Sequence, residues 1–136
     1  MSLSVEGVAL EELAAQVGTP CFVYSKAVVL ARYREYADAL LGCDHTICYA
    51  VKANSNLGVL RLLAEAGSGF DIVSGGELFR VLKAGGEPSK IVFSGVGKTA
   101  GEIEYALANA IFGFNSESEA ELELIDEIAG DRKSVV

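Results

Sequence analysis

The sequence predicts an α/β fold, the first half of a parallel (β/α)8 barrel of the TIM type, with about four to five βα units. Three observations carry this. Apolar strand candidates begin near Thr46, Phe70, Lys90 and Ala110, each followed by ten or more residues with helical spacing. Strands alternating with helices, and strands that read as near-continuous apolar runs, imply a parallel sheet covered by helices. The repeat of roughly twenty residues or slightly more is short for a doubly wound sheet and comfortable for a barrel.

Taken in order, "GTPCFVYS" (Gly18 to Ser25) reads as a turn and a strand. A helix from Lys26 to about Leu41 follows, with Leu30, Tyr33, Ala37 and Leu41 at helical spacing. Residues 1–45 thus form a strand-and-helix lead-in, and residues 46–136 the first half of the barrel. The strand at Thr46–Val51 ends on Lys52 and gives way to a helix marked by Leu57, Leu60 and Leu63. The next helix carries Leu78, Val81 and Leu82 and stops at Gly85-Gly86. Three helix starts share the S/T-x-x-E pattern: Ser74 with Glu77, Thr99 with Glu102, and Ser116 with Glu119. In that pattern hydroxyl and carboxylate satisfy backbone N–H groups that would otherwise lack partners. The final "KSVV" sits where a fifth strand should start. A closed barrel has eight strands, so an edge is left that must be covered or paired. There is no linker-like or low-complexity stretch.

The 136 residues are 51% hydrophobic, enough for a sizeable core. A net charge of -8 argues against nucleic acid, which demands a basic face. No polybasic cluster favours an anionic membrane surface, and no apolar run approaches the ~20 residues of a membrane helix. The acidic N-terminus does not resemble a secretory signal. Cys21, Cys43 and Cys48 are odd in number and lack a CxxC pair, which fits a reducing cytoplasm better than a disulfide framework or zinc site.

Chemistry in such barrels gathers at the C-terminal ends of the strands, where Lys52, Ser74, Ser94 and Asn115 fall. Lys52 has two readings: a strand-end ammonium reaching water, or a partly desolvated amine of the kind a Schiff base requires. Asp71 lies inside an apolar strand and must find a cation or donors, because an unpaired buried charge is very unfavourable. Lys52, at the matching level of the neighbouring strand, is the economical candidate partner. A structural pair or a loop-facing cap explains Asp71 equally well. For Glu77 the capping role suffices. "FSGVGKT" is not a nucleotide phosphate loop, since Val92 stands where the motif requires glycine. Gly95 and Gly97 instead read as a flexible strand-to-helix loop capped by Thr99. His45 is the single histidine and reads as a solvated loop residue, and without a nucleophile-elbow motif a Ser-His-Asp arrangement has little support.

The blocks "GTPCFVYS", "YAVKANSN", "GSGFDIVSGGEL", "KIVFSGVGKT" and "FNSESEAELELI", in this order, closely resemble diaminopimelate decarboxylase. The resemblance runs from about Gly18 to Ala129. It implies a pyridoxal-phosphate enzyme with an alanine-racemase-like barrel, acting on meso-diaminopimelate to give L-lysine and carbon dioxide, a step of lysine biosynthesis. The matching lysine, Lys52, would hold pyridoxal 5'-phosphate, and Asp71 would lie close by and help set the lysine's protonation. A small-molecule amino-acid substrate and a homodimer are implied as well. The family's glycine-rich phosphate loop, its acidic partner of the pyridine nitrogen, an arginine of the fifth strand and a C-terminal β domain have no counterpart here. "PCFVYS" would belong to that absent domain. The chain is therefore expected to be an N-terminal fragment that is inactive alone.

The related decarboxylases of ornithine, arginine and carboxynorspermidine keep the cofactor and change the substrate. A non-catalytic single-barrel pyridoxal-phosphate protein would still need a complete barrel, and an inert half-barrel would have to pair with another copy.

Overall fold

The computed structural model describes residues 3–130 and divides, between Leu41 and Gly42, into two compact units. The first opens with a small antiparallel hairpin, β1 (Ser4–Val5) and β2 (Val8–Ala9), turning through Glu6 and Gly7 at positive φ. Helix α1 (Leu10–Val17) follows directly, and α2 (Lys26–Ala39) comes after an irregular stretch. Ser25 caps α2 by accepting a hydrogen bond from the Val28 N–H at 3.1 Å. Glu6 reaches the same helix start, accepting from the Ser25 hydroxyl at 2.5 Å and the Ala27 N–H at 2.7 Å. These two donors hold its carboxyl below the usual carboxylate range.

The strand expected at "PCFVYS" is not formed. A strand exists only where a neighbour takes up its N–H and C=O groups, and none among the described residues pairs with Cys21–Ser25. Phe22 accordingly stands 91% exposed. The hairpin and α1, in turn, lie in a stretch where two-residue strands leave no readable periodicity.

The second unit is the repeat. Strands β3 (Cys48–Ala50), β4 (Gly69–Ile72), β5 (Ile91–Phe93) and β6 (Gly113–Phe114) form one parallel sheet in chain order. Between and after them run α3 (Leu57–Glu65), α4 (Gly75–Ala84), α5 (Ala100–Ala108) and α6 (Glu119–Ala129), each packed on the next. Sequential parallel strands joined by right-handed crossovers put all these helices on one face of the sheet.

The register shows the two faces. Ile72, Phe93 and Phe114 align across three strands and are buried, as are Phe70 and Ile91. Phe93 and Phe114 stack with ring centroids 5.9 Å apart. Leu60, Leu63, Leu78, Val81, Ile103 and Ile125 complete the core from the helix side, each worth roughly 1.5–3 kcal/mol of transfer free energy. The alternate residues Ala50, Asp71 and Val92 share the opposite face, left uncovered by the four helices of this unit, and are only half-buried.

Three expectations need correction. Leu57 is 47% exposed, because as the first residue of α3 it precedes the packed turns. The last strand starts at Gly113, not Ala110, which takes a positive φ in the turn after α5. The cap of α6 is Ser118, which accepts from the Glu121 N–H at 3.2 Å, whereas Ser116 Oγ donates to the Ser118 carbonyl. Ser116 and Ser118 both fit S/T-x-x-E, and the register is decided by Glu121, whose carboxylate is needed inside. "KSVV" lies outside the described residues.

Candidate active site at the strand ends

At the end of β3 the chain tightens into a 3-10 turn, Val51–Ala53. Val51 is fully buried and Lys52 exposed. The residues that follow shape the turn. Asn54 Oδ1 accepts from the Asn56 N–H at 2.9 Å, and Asn56 Oδ1 accepts from the Gly58 N–H at 2.8 Å to cap α3. Tyr49 adds a hydroxyl bond to the Asn54 carbonyl at 3.3 Å. Lys52 is thus offered on a braced turn, with no carboxylate among the described residues within ion-pairing distance.

Asp71 does not pair with Lys52. In the register it stands opposite Ala50, two residues short of the lysine. The donor it finds lies on the other side: Ser94 Oγ, just past β5, donates to Asp71 Oδ1 at 2.5 Å. Asn115, just past β6, donates from Nδ2 to Ser94 Oγ at 2.9 Å. By strand alternation these three residues occupy the uncovered face of the sheet. Burial, with the Asp71 charge nearby, pushes the Cys48 thiol up.

The loops at this rim are fastened by buried side chains. Gly95 and Gly97 take φ of 84° and 73°, as the left-handed bends of the β5–α5 loop require. They bring Lys98 inward, its side chain 1% exposed. Its Nζ donates to the Gly95 carbonyl at 2.7 Å, the Asn115 carbonyl at 2.8 Å and Glu121 Oε2 at 3.0 Å. It also lies 5.7 Å from the centroid of the Phe93 ring. Glu121 further accepts from the backbone N–H groups of Lys98 and Glu117. Burial by itself would raise the Glu121 carboxyl, but these donors outweigh it and hold it below the usual range.

One unit earlier Glu102 does similar work. It accepts from the Gly75 N–H at 2.8 Å, tying the start of α4 to α5, and closes a capping box with Thr99. The Gly75 bond first, then the bonds from Thr99, lower its carboxyl. Ser74 caps α4 by accepting from the Glu77 N–H, and Glu77 accepts from the Val73 N–H at 2.8 Å. Both serve the helix start.

Lys98 and Glu121 were not singled out from sequence. A lysine in a glycine-rich loop, with a glutamate one repeat further on, is the pattern that could have marked them. His45 is exposed, with Nδ1 2.8 Å from the Cys43 carbonyl.

An exposed primary amine at the C-terminal rim, beside an uncovered polar row, suits a cofactor that binds through an aldehyde. Residues 26–136 match the family model of the pyridoxal-dependent decarboxylases, pyridoxal binding domain. The chain belongs to this decarboxylase family. Over 129 residues it is 57% identical to diaminopimelate decarboxylase of Pseudomonas aeruginosa, covering 95% of this chain and 31% of that protein. AQ1208 from Aquifex aeolicus superposes with a TM-score of 0.90 at 50% identity, over 95% of this chain and 32% of that one. Diaminopimelate decarboxylase from Helicobacter pylori, solved with L-lysine, gives 0.84 at 49% identity, over 88% and 30%. The chain thus spans about a third of the length of the decarboxylases it matches. Its four parallel βα units correspond to part of their pyridoxal-binding barrel.

Proposed function

We propose that this chain is the N-terminal, lysine-bearing part of a diaminopimelate decarboxylase, which converts meso-diaminopimelate to L-lysine and carbon dioxide. The observation that carries the reading is Lys52: an amine with no ion pair among the described residues, on a braced turn at the C-terminal ends of parallel strands. The names of the similar proteins support the substrate. Lys52 would hold pyridoxal phosphate through the cofactor's aldehyde. When bound, the cofactor supplies the electron sink into which the pair released with carbon dioxide is drawn. Asp71 contributes a negative charge on the uncovered face, one oxygen held by Ser94, and favours a protonated nitrogen nearby.

The same reading makes the assembled enzyme a cytoplasmic homodimer and leaves the 136-residue chain inactive by itself. Among the described residues no helix is long and apolar enough to cross a membrane. Assays of the full-length protein with meso-diaminopimelate, ornithine, arginine and carboxynorspermidine test the substrate. Release of carbon dioxide from diaminopimelate alone, lost in Lys52→Ala, is expected. Preferred turnover of another of these amino acids would overturn the assignment.

A further inference from the structure

The row Asp71–Ser94–Asn115 has a fixed direction. A hydroxyl carries one proton, an ionised carboxylate can only accept, and an amide nitrogen can only donate. Ser94 therefore gives its proton to Asp71 Oδ1 and receives one from Asn115 Nδ2. Asp71 Oδ2 takes no hydrogen bond from the described residues and remains an open acceptor on the uncovered face. The row is also held from behind. Lys98 Nζ bonds the carbonyl of Gly95, next to Ser94, and that of Asn115 itself, so the backbone bearing both donors is fixed by a buried ammonium.

We propose that Ser94 and Asn115 are positioning residues for Asp71, clamping one carboxylate oxygen so that the other faces the cationic nitrogen of the lysine-held cofactor in a set direction. A carboxylate in a half-buried strand otherwise rotates about two side-chain bonds, and each rotamer lost to the clamp is one that would not aim at the nitrogen. Ser94 and Asn115 each lie one residue past a strand, where their N–H groups still bond the carbonyls of Ile72 and Phe93 at 2.8 and 2.9 Å, so the aim depends on the sheet ladder carried on into the rim.

The inference rests on the reading of Asp71 given above, and a double-mutant cycle in the full-length enzyme separates the two. The variants are Asp71→Asn, Ser94→Ala and the pair together. The readouts are the rate at which apoenzyme captures added pyridoxal phosphate, followed by absorbance, and kcat and KM for diaminopimelate. Ser94→Ala is expected to slow capture and lower kcat by about three- to tenfold, the worth of one hydrogen bond, with KM unchanged. Ser94→Thr, which keeps the hydroxyl, restores both. In the Asp71→Asn background, Ser94→Ala is expected to add nothing further. An undiminished Ser94→Ala, or an equal loss in both backgrounds, overturns the positioning role while leaving Asp71's own intact. An Asp71→Asn enzyme with wild-type capture and kcat overturns both. Should Ser94→Ala fail to fold, as judged by thermal unfolding, the exposed Asn115→Ala serves in its place, with a loss of about twofold that vanishes in Asp71→Asn.

Discussion

Lys98 and Glu121 show how the desolvation cost of a buried charge pair is offset in this rim. The ammonium has three protons and three oxygen acceptors, and the carboxylate gathers donors from two backbone N–H groups as well as from the lysine. Removing one partner leaves the other charge uncompensated. Lys98→Met is therefore expected to cost about 3–5 kcal/mol in denaturant unfolding, the range for a broken buried pair. The pH dependence has a definite sign. Glu121 is held below its unfolded value, so its contribution is present above the ordinary carboxylate range and is lost as pH falls through the lowered folded value. Wild type should lose stability below about pH 4–5 more steeply than Glu121→Gln, which lacks this titration. Parallel acid-unfolding curves for the two proteins would contradict the assignment of Glu121.

Helix starts are where the sequence was most legible, because S/T-x-x-E encodes a local bond that needs no distant partner. Ser74 and Thr99 fall where the pattern puts them. At α6 the pattern occurs twice, and only the tertiary demand for a buried carboxylate at Glu121 chooses between Ser116 and Ser118. Ser118→Ala and Thr99→Ala should each lower stability by about 1 kcal/mol, and Ser116→Ala by much less, in chemical denaturation. "PCFVYS" forms no strand among the described residues for the opposite reason: its β-prone side chains state a preference that only a neighbouring strand can realise. The partner of Asp71 was missed likewise. Spacing along one strand pointed to Lys52 next door, whereas the donor comes from the strand on the far side, two residues past the aligned position.

Among the described residues the four βα units make a sheet with their helices on one face and with edges at β3 and β6. This architecture was readable from repeat length and apolar runs. What those could not supply is which open-face residues meet, since such contacts join units some twenty residues apart. Parallel edge strands with unpaired backbone groups seek a partner. The isolated 136-residue chain is therefore expected to associate, its apparent mass in sedimentation rising with concentration. A folded, strictly monomeric chain at high concentration would count against open edges. The functional assignment turns on a single nitrogen. Borohydride reduction of the full-length protein loaded with pyridoxal phosphate, followed by peptide mass mapping, should place the pyridoxyl group on Lys52 and nowhere else. A label fixed on any other lysine of an enzyme that still decarboxylates its substrate would contradict it.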